Sequence, residues 1–486
     1  MRFERVHKNK KGSCMRKLEL FVVLSVMFLA FALRMYRISN PVADWHSFRQ
    51  ADTASVTREF VRRGVDLLHP QYHDLSNIQS GKENPEGYRM VEFPIMNAGT
   101  AVFISAFNLD GQEVLVGRLF AVIFSGLAGL ALYLFVKTLL GRRVALFSLI
   151  LFSILPYSVY YGRVILPEPF MICLVLWSGV AYLRAITSRS YLTFALYSLL
   201  LAMAILVKPF VLIYVPIFIT AGFLLTKNLK HSLVGAISSL FAVVPFLFWR
   251  DWILQFPEGI PASDWLWNEK NIRFSGAFVH WVFQERISRL ILGIGGVSFL
   301  ILGMIRKQKA FLVFVVSLSA ILVYVLAIAG GNVRHDYYQF LILPILCMIA
   351  GQGMAWMWNG IAGSLVLFSR IVLIGLLGFS IFVSWYEVRG YFNVNHWEIV
   401  IAGEVVDKVI PQTAKIIAPF NGDTAFLFHT KRSGWPLGFE IDKKISQGAT
   451  HYVTVSYDDE ARELEKRFKT IEKTDRFLLL DLREHL

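Results

Sequence analysis

Long apolar runs set the first constraint on this chain. Stretches such as 112–138 and 364–385 reach the ~20 residues that a helix needs to cross a bilayer. In lipid a backbone must satisfy its own hydrogen bonds, so such runs are helical. The 486 residues are 55% hydrophobic and only 17% charged, with a mean hydropathy of +0.52. A soluble domain carries roughly 25% charged residues. The sequence therefore reads as an all-α polytopic membrane protein. Its net charge of +14 raises the question of nucleic acid. The basic residues, however, sit in short loops between apolar runs, which is an orientation signal, so no nucleic-acid partner is expected. Cys14, Cys173 and Cys347 form neither a disulfide framework nor a zinc motif. The first run, 18–36, is long for a signal peptide and has no small-residue cleavage site after it, so it is expected to be an uncleaved first span.

The basic tail 1–17 places the N-terminus in the cytoplasm. The run 93–109 then decides the topology. Counted as a span, it puts Arg142, Arg143 and the 306–309 cluster outside. Counted as an outer-leaflet or re-entrant segment, it puts them inside with Arg184, Arg189, Lys227 and Lys230, and that count satisfies the positive-inside bias. The remaining runs make about eleven spans with the C-terminus outside. The outer loops are then 37–111, 162–168, the turn at Lys208-Pro209, 250–287 and 330–336. After about Glu387 charge rises and apolar runs shorten. Strands are predicted over 414–418, 451–455 and 476–482 and a helix over 458–468, giving a small extracytoplasmic α/β domain over 387–486.

Four charged motifs fall on the outer side: Asp44 to Asp52, Glu92-Phe93-Pro94, Arg163 to Pro169, and Arg334-His335-Asp336-Tyr337-Tyr338. Charge beside hydrocarbon is costly and marks function by default. Each motif also has a plainer reading. Asp44 fits an N-cap for an interfacial helix running to about Arg63. Arg49 fits a surface pair with Asp52, and Trp45, Phe48, Val56 and Phe60 fit a membrane-facing side. Asp44 and Asp52 are eight residues apart and so can share a helix face. Arg163 and Glu168 fit a surface ion pair, although Pro167 and Pro169 bracket Glu168 and favour an extended conformation. Lys208 fits a snorkelling side chain, and Tyr337 and Tyr338 an interfacial belt. Together the motifs supply carboxylates for base or metal work and cations for a phosphate leaving group. The chemistry that fits is transfer of a group from a lipid phosphate.

Several features in order resemble the GT-C superfamily of polyprenyl-phosphate-sugar-dependent glycosyltransferases: the basic tail, a span, an acidic outer motif, a Phe-Pro segment, Gly117-Arg118-Leu119 and then Arg-x4-Glu-Pro. The likeness is nearest to bacterial relatives of protein O-mannosyltransferases and of the lipid A aminoarabinose transferase. It covers about residues 15–385. It implies a catalytic carboxylate in the first outer motif, often within Asp-Glu. Here Arg49-Gln50 stand at that place, flanked by Asp44 and Asp52, which leaves the identity of the base open. Glu168 matches a position that is usually Asp. Glu92 replaces the lysine of a Lys-Pro-Pro region, and Lys208 matches a lysine facing the donor phosphate. In some members the outer acids share a metal, so a divalent cation on Asp44, Asp52 and Glu168 is an open expectation.

The resulting expectation is a glycosyltransferase on the outer face of the cell membrane. Its donor is a polyprenyl-phosphate sugar, and its acceptor a glycan, lipid or protein. Asp52 or Asp44 is the expected base, and Glu168 assists it. His46, Arg49, Gln50, Glu92, Arg163, Lys208, Arg334, His335, Asp336, Tyr337 and Tyr338 are the expected substrate contacts. Inverting stereochemistry is implied by the resemblance. The alternative is a transporter or flippase of a lipid-linked sugar. Such proteins commonly show paired repeats with sites at the midplane, whereas here no repeat is visible and the charges gather at one interface.

Overall fold

The computed structural model describes residues 2–188, 190–306, 310–361 and 365–486, with 2–16 described for the backbone alone. Arg189 and Lys307 to Lys309, expected on the inner side, lie outside the described residues. The first helices are α1 (Arg2–Arg34), α2 (Ser47–Arg63), α3 (Ile95–Ala106), α4 (Glu113–Leu140), α5 (Arg142–Ile154) and α6 (Pro156–Tyr161). They are followed by α7 (Glu168–Ser188), α8 (Tyr191–Val207), α9 (Tyr214–Thr226) and α10 (Leu229–Trp252).

Among the described residues, five helical stretches are long and apolar enough to cross a membrane: Glu113–Leu140, Glu168–Ser188, Pro209–Thr226, Leu229–Gln255 and Val366–Val409. A sixth appears if Gly276–Ile291 and Gly295–Ile305, bent by 105°, count as one span. Four further apolar helices are shorter, including Tyr191–Val207 and Leu343–Trp358. Breaks explain part of the difference from the sequence expectation. The run 144–162 is interrupted where Pro156, lacking an N–H, leaves the Phe152 carbonyl without its helical donor. Arg34 of α1 supplies donors there, to Phe152 O at 3.2 Å, Ser153 O at 3.1 Å and Ser158 O at 3.2 Å. A buried arginine thus holds the broken helix together.

Helix α3 has 12 residues. At 1.5 Å per residue it spans about 18 Å, well short of a ~30 Å hydrocarbon core. Its first turn and the start of α4 both meet α2. Asn97 Nδ2 donates to Thr53 O at 2.7 Å, and Glu113, which opens α4, pairs with Arg58 at 2.5 Å. The run 93–109 therefore folds back beside α2. At the other end of α4, Lys137 and Arg142 pair with Glu19 of α1 at 2.5 and 3.3 Å.

Helix α2 is buried over most of its length, from Arg49 to Phe60. Val56 and Phe60 pack on Tyr72 and Ala101 rather than facing lipid, so the expected membrane-surface helix is an internal one. Above it lies a five-stranded sheet: β1 (Lys415–Ile417), β2 (Ser433–Trp435), β3 (Ala449–Thr454), β4 (Phe468–Lys473) and β5 (Leu478–His485), in the order β2-β1-β3-β5-β4. β1 runs parallel to β2 and β3, and β5 runs antiparallel to β3 and β4. The helix Asp459–Arg467 begins at Asp458, whose side chain accepts from Ala461 N at 3.0 Å. β1, β3, β5 and this helix match the sequence expectation. β2 is a three-residue strand through Gly434 and β4 a mostly exposed edge, and neither carries a strand pattern.

The loop between α2 and α3 binds the free edge of this sheet. Leu75 N donates to Gly434 O at 2.8 Å and Gly434 N to His73 O at 2.9 Å. Gly434 is required because a Cβ there would fall 1.7 Å from Ile416 O. Arg58 Nη1 donates to Phe428 O at 2.9 Å, and Val42, Ala51 and Ala54 share an apolar core with Ile399 and Phe426. Asp74, buried within this seam, has its carboxyl pushed up to about 6 from 3.8, first by burial and also by Asp52 nearby. A carboxyl whose folded pKa is raised is favoured in its protonated form, so its support for the fold declines as pH rises from about 4 through about 6. In thermal unfolding at pH 4 and pH 7.5, wild type should lose stability relative to Asp74→Asn as pH rises through this range. Asp74→Asn should lack that component, and an identical pH response in the two proteins would refute it.

Candidate functional site

The first outer motif does not begin as a simple helix. His46 sits in the left-handed region, at φ 56° and ψ 38°, and α2 starts only at Ser47. Asp44 therefore lies off the helical register and is not its N-cap. Its Oδ2 accepts from Arg163 at 3.1 Å and Arg118 at 3.3 Å, its Oδ1 from Gln50 at 2.7 Å, and none of the three charged side chains is exposed. Arg118 and Arg163 also donate to the carbonyls of Ile38 and Arg37, at 3.0 and 2.9 Å. These contacts correct several expectations. Asp44, Gln50 and Arg163 form a closed structural clamp, and Arg163 does not pair with Glu168. Asp44 and Asp52 do not share a face.

Asp52 lies on α2 and faces the other way. Its Oδ2 accepts from Arg89 at 2.9 Å and Gln79 at 3.2 Å, and its Oδ1 from Thr424 of the sheet unit at 2.7 Å. Arg49 does not pair with Asp52. It pairs with Glu92 Oε1, which lies 4.0 Å from Lys208 Nζ. Lys208 in turn binds Glu168 Oε1. Glu168 is the first residue of α7 rather than part of an extended segment, so it faces the positive end of the helix dipole. Its Oε2 is buried and has no hydrogen-bond partner. Carboxylates and cations thus alternate through the site: Arg89 with Asp52, then Arg49, Glu92, Lys208 and Glu168. A small cavity is lined by Arg49, Asp52, Arg89, Glu92 and Asn97. Burial alone would raise the Glu92 carboxyl, but Arg49 and Lys208 hold it below its usual value.

The last motif divides. Asp336 is fully buried and accepts from His46 Nε2 at 2.6 Å, Tyr391 OH at 2.6 Å, Trp45 Nε1 at 3.1 Å, Arg286 Nη1 at 3.2 Å and Tyr161 OH. Burial opposes its charge, yet His46 and Arg286 hold its carboxyl well below the usual range. His46 and Asp336 thus bind each other within the fold. Tyr337 and Tyr338 place their rings 5.4 and 5.3 Å from Lys208 Nζ. His335 stacks on Tyr337 with ring centroids 5.3 Å apart. Burial pushes the His335 imidazole down to about 4, with His46 adding to the effect. Arg334 turns outward to Glu269.

Asp44, Asp52 and Glu168 are each held by different cations, and no three His, Cys, Asp or Glu side chains among the described residues come together as ligands. Sequence reasoning missed Arg89, Gln79, Thr424, Tyr161, Arg286 and Tyr391. Arg118 had a signal, a charge inside an apolar run. Thr424 had none.

A family model described as dolichyl-phosphate-mannose-protein mannosyltransferase matches residues 95–249. No curated protein matches the chain in sequence. In structure the chain is similar to ArnT from Cupriavidus metallidurans bound to undecaprenyl phosphate, with a TM-score of 0.63 and 14% identity over 96% of this chain and 98% of that one. It is also similar to the Archaeoglobus fulgidus oligosaccharyltransferase in complex with Zn and sulfate, with a TM-score of 0.57 and 10% identity over 89% and 67%. A third likeness is to the arabinofuranosyltransferase AftD from Mycobacteria, with a TM-score of 0.56 and 12% identity over 96% and 41%. The chain shares its overall fold with these structures.

The clamp and the open site should respond differently to substitution. Asp44→Ala strands two buried arginines, at a cost of about 3–5 kcal/mol, and should abolish recovery of folded protein from the membrane. Glu168→Gln should leave the melting temperature within a few degrees of wild type. Size-exclusion and thermal-shift measurements that ranked the two the other way would contradict these roles.

Proposed function

We propose that this protein is an integral-membrane glycosyltransferase that moves a sugar from a polyprenyl-phosphate donor to an acceptor hydroxyl at the outer membrane face. The observation that carries this reading is the alternating row of charges, which gathers Arg49, Asp52, Glu92, Glu168 and Lys208 at one end of a helical bundle with the GT-C fold. The matches to a mannosyltransferase family model and to a protein bound to undecaprenyl phosphate support it.

In this reading the acceptor oxygen attacks the anomeric carbon, and its proton passes to Asp52. The bond between that carbon and the phosphate oxygen breaks, and its electron pair leaves with the lipid phosphate. Arg49 and Lys208 meet the charge that develops there, and Tyr337 and Tyr338 flank Lys208. Glu92 and Glu168 hold the two cations in place for the phosphate. The orphaned Glu168 Oε2 offers an acceptor for a sugar or acceptor hydroxyl.

The reading also sets the topology. The chain traverses the bilayer about eleven times, through full-length helices, broken ones and short ones, with the N-terminus in the cytoplasm and the sheet outside. Supporting it, Glu19, Lys137 and Arg142 meet at one end of α1 and α4, and the charged row lies at the other. A cysteine at position 334 should label with an impermeant reagent from outside, and one at 143 should not. The reverse pattern would remove the outer-face site.

Loss of Lys208 should reduce turnover more than donor binding, because it acts on charge that develops in the transition state. Lys208→Ala and Asp52→Asn are expected to bind the donor within a few-fold of wild type. Both should release free polyprenyl phosphate about 10²-fold more slowly, the usual scale for one lost electrostatic or acid–base group. Wild-type protein that never splits the donor with any acceptor extract would overturn the transferase reading.

A further inference from the structure

Thr424 stands at the start of the short helix Ala425–Thr430, where a threonine ordinarily caps its own helix. Its side chain makes no such bond. Asp423 does that work instead, its Oδ1 accepting from Ala425 N at 2.7 Å. The Thr424 hydroxyl is thereby free. It points out of the sheet unit to Asp52 Oδ1 at 2.7 Å, 372 positions away in sequence, with Phe48 O as a second acceptor at 3.3 Å.

The loop that presents this hydroxyl is fixed from several directions. Asn421 and Gly422 adopt positive φ of 52° and 79°, and the amides of Phe420 and Gly422 donate to Pro436 O at 3.1 and 3.2 Å. Thr424 O is 3.2 Å from His73 Nε2. His73 is itself tied to the edge of β2 through Gly434. Ser47 Oγ reaches Asp423 Oδ2 at 3.4 Å, which joins the loop to the start of α2. Thr424 is almost fully buried, as is Asp52.

We infer that the sheet unit completes the catalytic centre, and that Thr424 is a positioning residue that sets the rotation of the Asp52 carboxylate. Arg89 and Gln79 hold only Oδ2. Any turn about the Cβ–Cγ bond moves both oxygens, so the Thr424 bond to Oδ1 braces the carboxylate from the side that Arg89 and Gln79 leave unheld. A base must lie within hydrogen-bond reach of the proton it takes and be correctly aimed. The outer unit therefore acts on the chemistry itself and is more than a cover or a separate binding module. This inference rests on the transferase reading with Asp52 as the base.

The test uses the full-length protein in lipid nanodiscs with a synthetic polyprenyl-phosphate sugar. Thr424→Val keeps the shape and removes the hydroxyl. It should lower kcat at least tenfold while leaving KM for the donor within about twofold, and Thr424→Ser should restore most of the rate. On an Asp52→Asn background Thr424→Val should cost nothing further, because the two act as one unit. Wild-type kcat in Thr424→Val overturns the inference and leaves the transferase reading intact, as does an equal loss on the Asp52→Asn background. If Thr424→Val and Thr424→Ala both fail to fold while Thr424→Ser folds, Thr424 is a stability residue and the inference falls. If wild type itself does not split the donor, it is the transferase reading that fails.

Discussion

Asp44 is the anchor on which the rest of the site depends. A single oxygen of this carboxylate receives Arg118 from α4 and Arg163 from the turn before α7. Two buried guanidiniums against one carboxylate leave an excess positive charge. The backbone carbonyls of Ile38, Asn40 and Arg37 take up further donors of the two guanidiniums. The strand of chain that leaves α1 is thus bound to two helices of the bundle before α2 begins. Breaking such a group strands charge where no water can reach it, so the geometry of α2 follows from this contact.

From that fixed start, α2 carries Arg49 and Asp52 in opposite roles. Asp52 reaches the sheet unit through Thr424, and Arg49 reaches the bundle through Glu92 and Lys208. The site is consequently close to electrically balanced, with every cation already facing a carboxylate. A phosphate entering it must take the place of a carboxylate on Arg49 or Lys208 rather than fill an open positive pocket. Lys208 suits this exchange, since an ammonium is a rotatable point charge with no fixed fork geometry. Asp336 has a separate task. Its five partners lock the start of the last motif, which leaves Tyr337 and Tyr338 beside Lys208.

The fold class was legible because apolar run length and Lys/Arg placement are direct consequences of the bilayer. The segment 93–109 was expected to fall short of a full span, and its helix has only 12 residues. The participants at the site were legible as residue types but not as pairs. Asp44 read as a helix cap because one residue, His46, adopts a left-handed conformation that no periodicity reveals. Arg163 read as a phosphate ligand because its partner lies 119 positions away. His335 read as a cation, and its burial by aromatic neighbours is a tertiary fact. Thr424 and Arg89 left no trace in the sequence, since a lone threonine or arginine in a polar loop has many ordinary uses.

The central claim is that the row from Asp52 to Glu168 receives the phosphate of a lipid-linked sugar. The most direct measurement is an experimental structure of the protein with a polyprenyl phosphate bound. The account predicts the phosphate oxygens within hydrogen-bond distance of Lys208 Nζ and the Arg49 guanidinium. Glu92 or Glu168 should be displaced, and the Asp44 clamp unchanged. A phosphate bound elsewhere, with the Lys208–Glu168 and Arg49–Glu92 pairs intact, would contradict it.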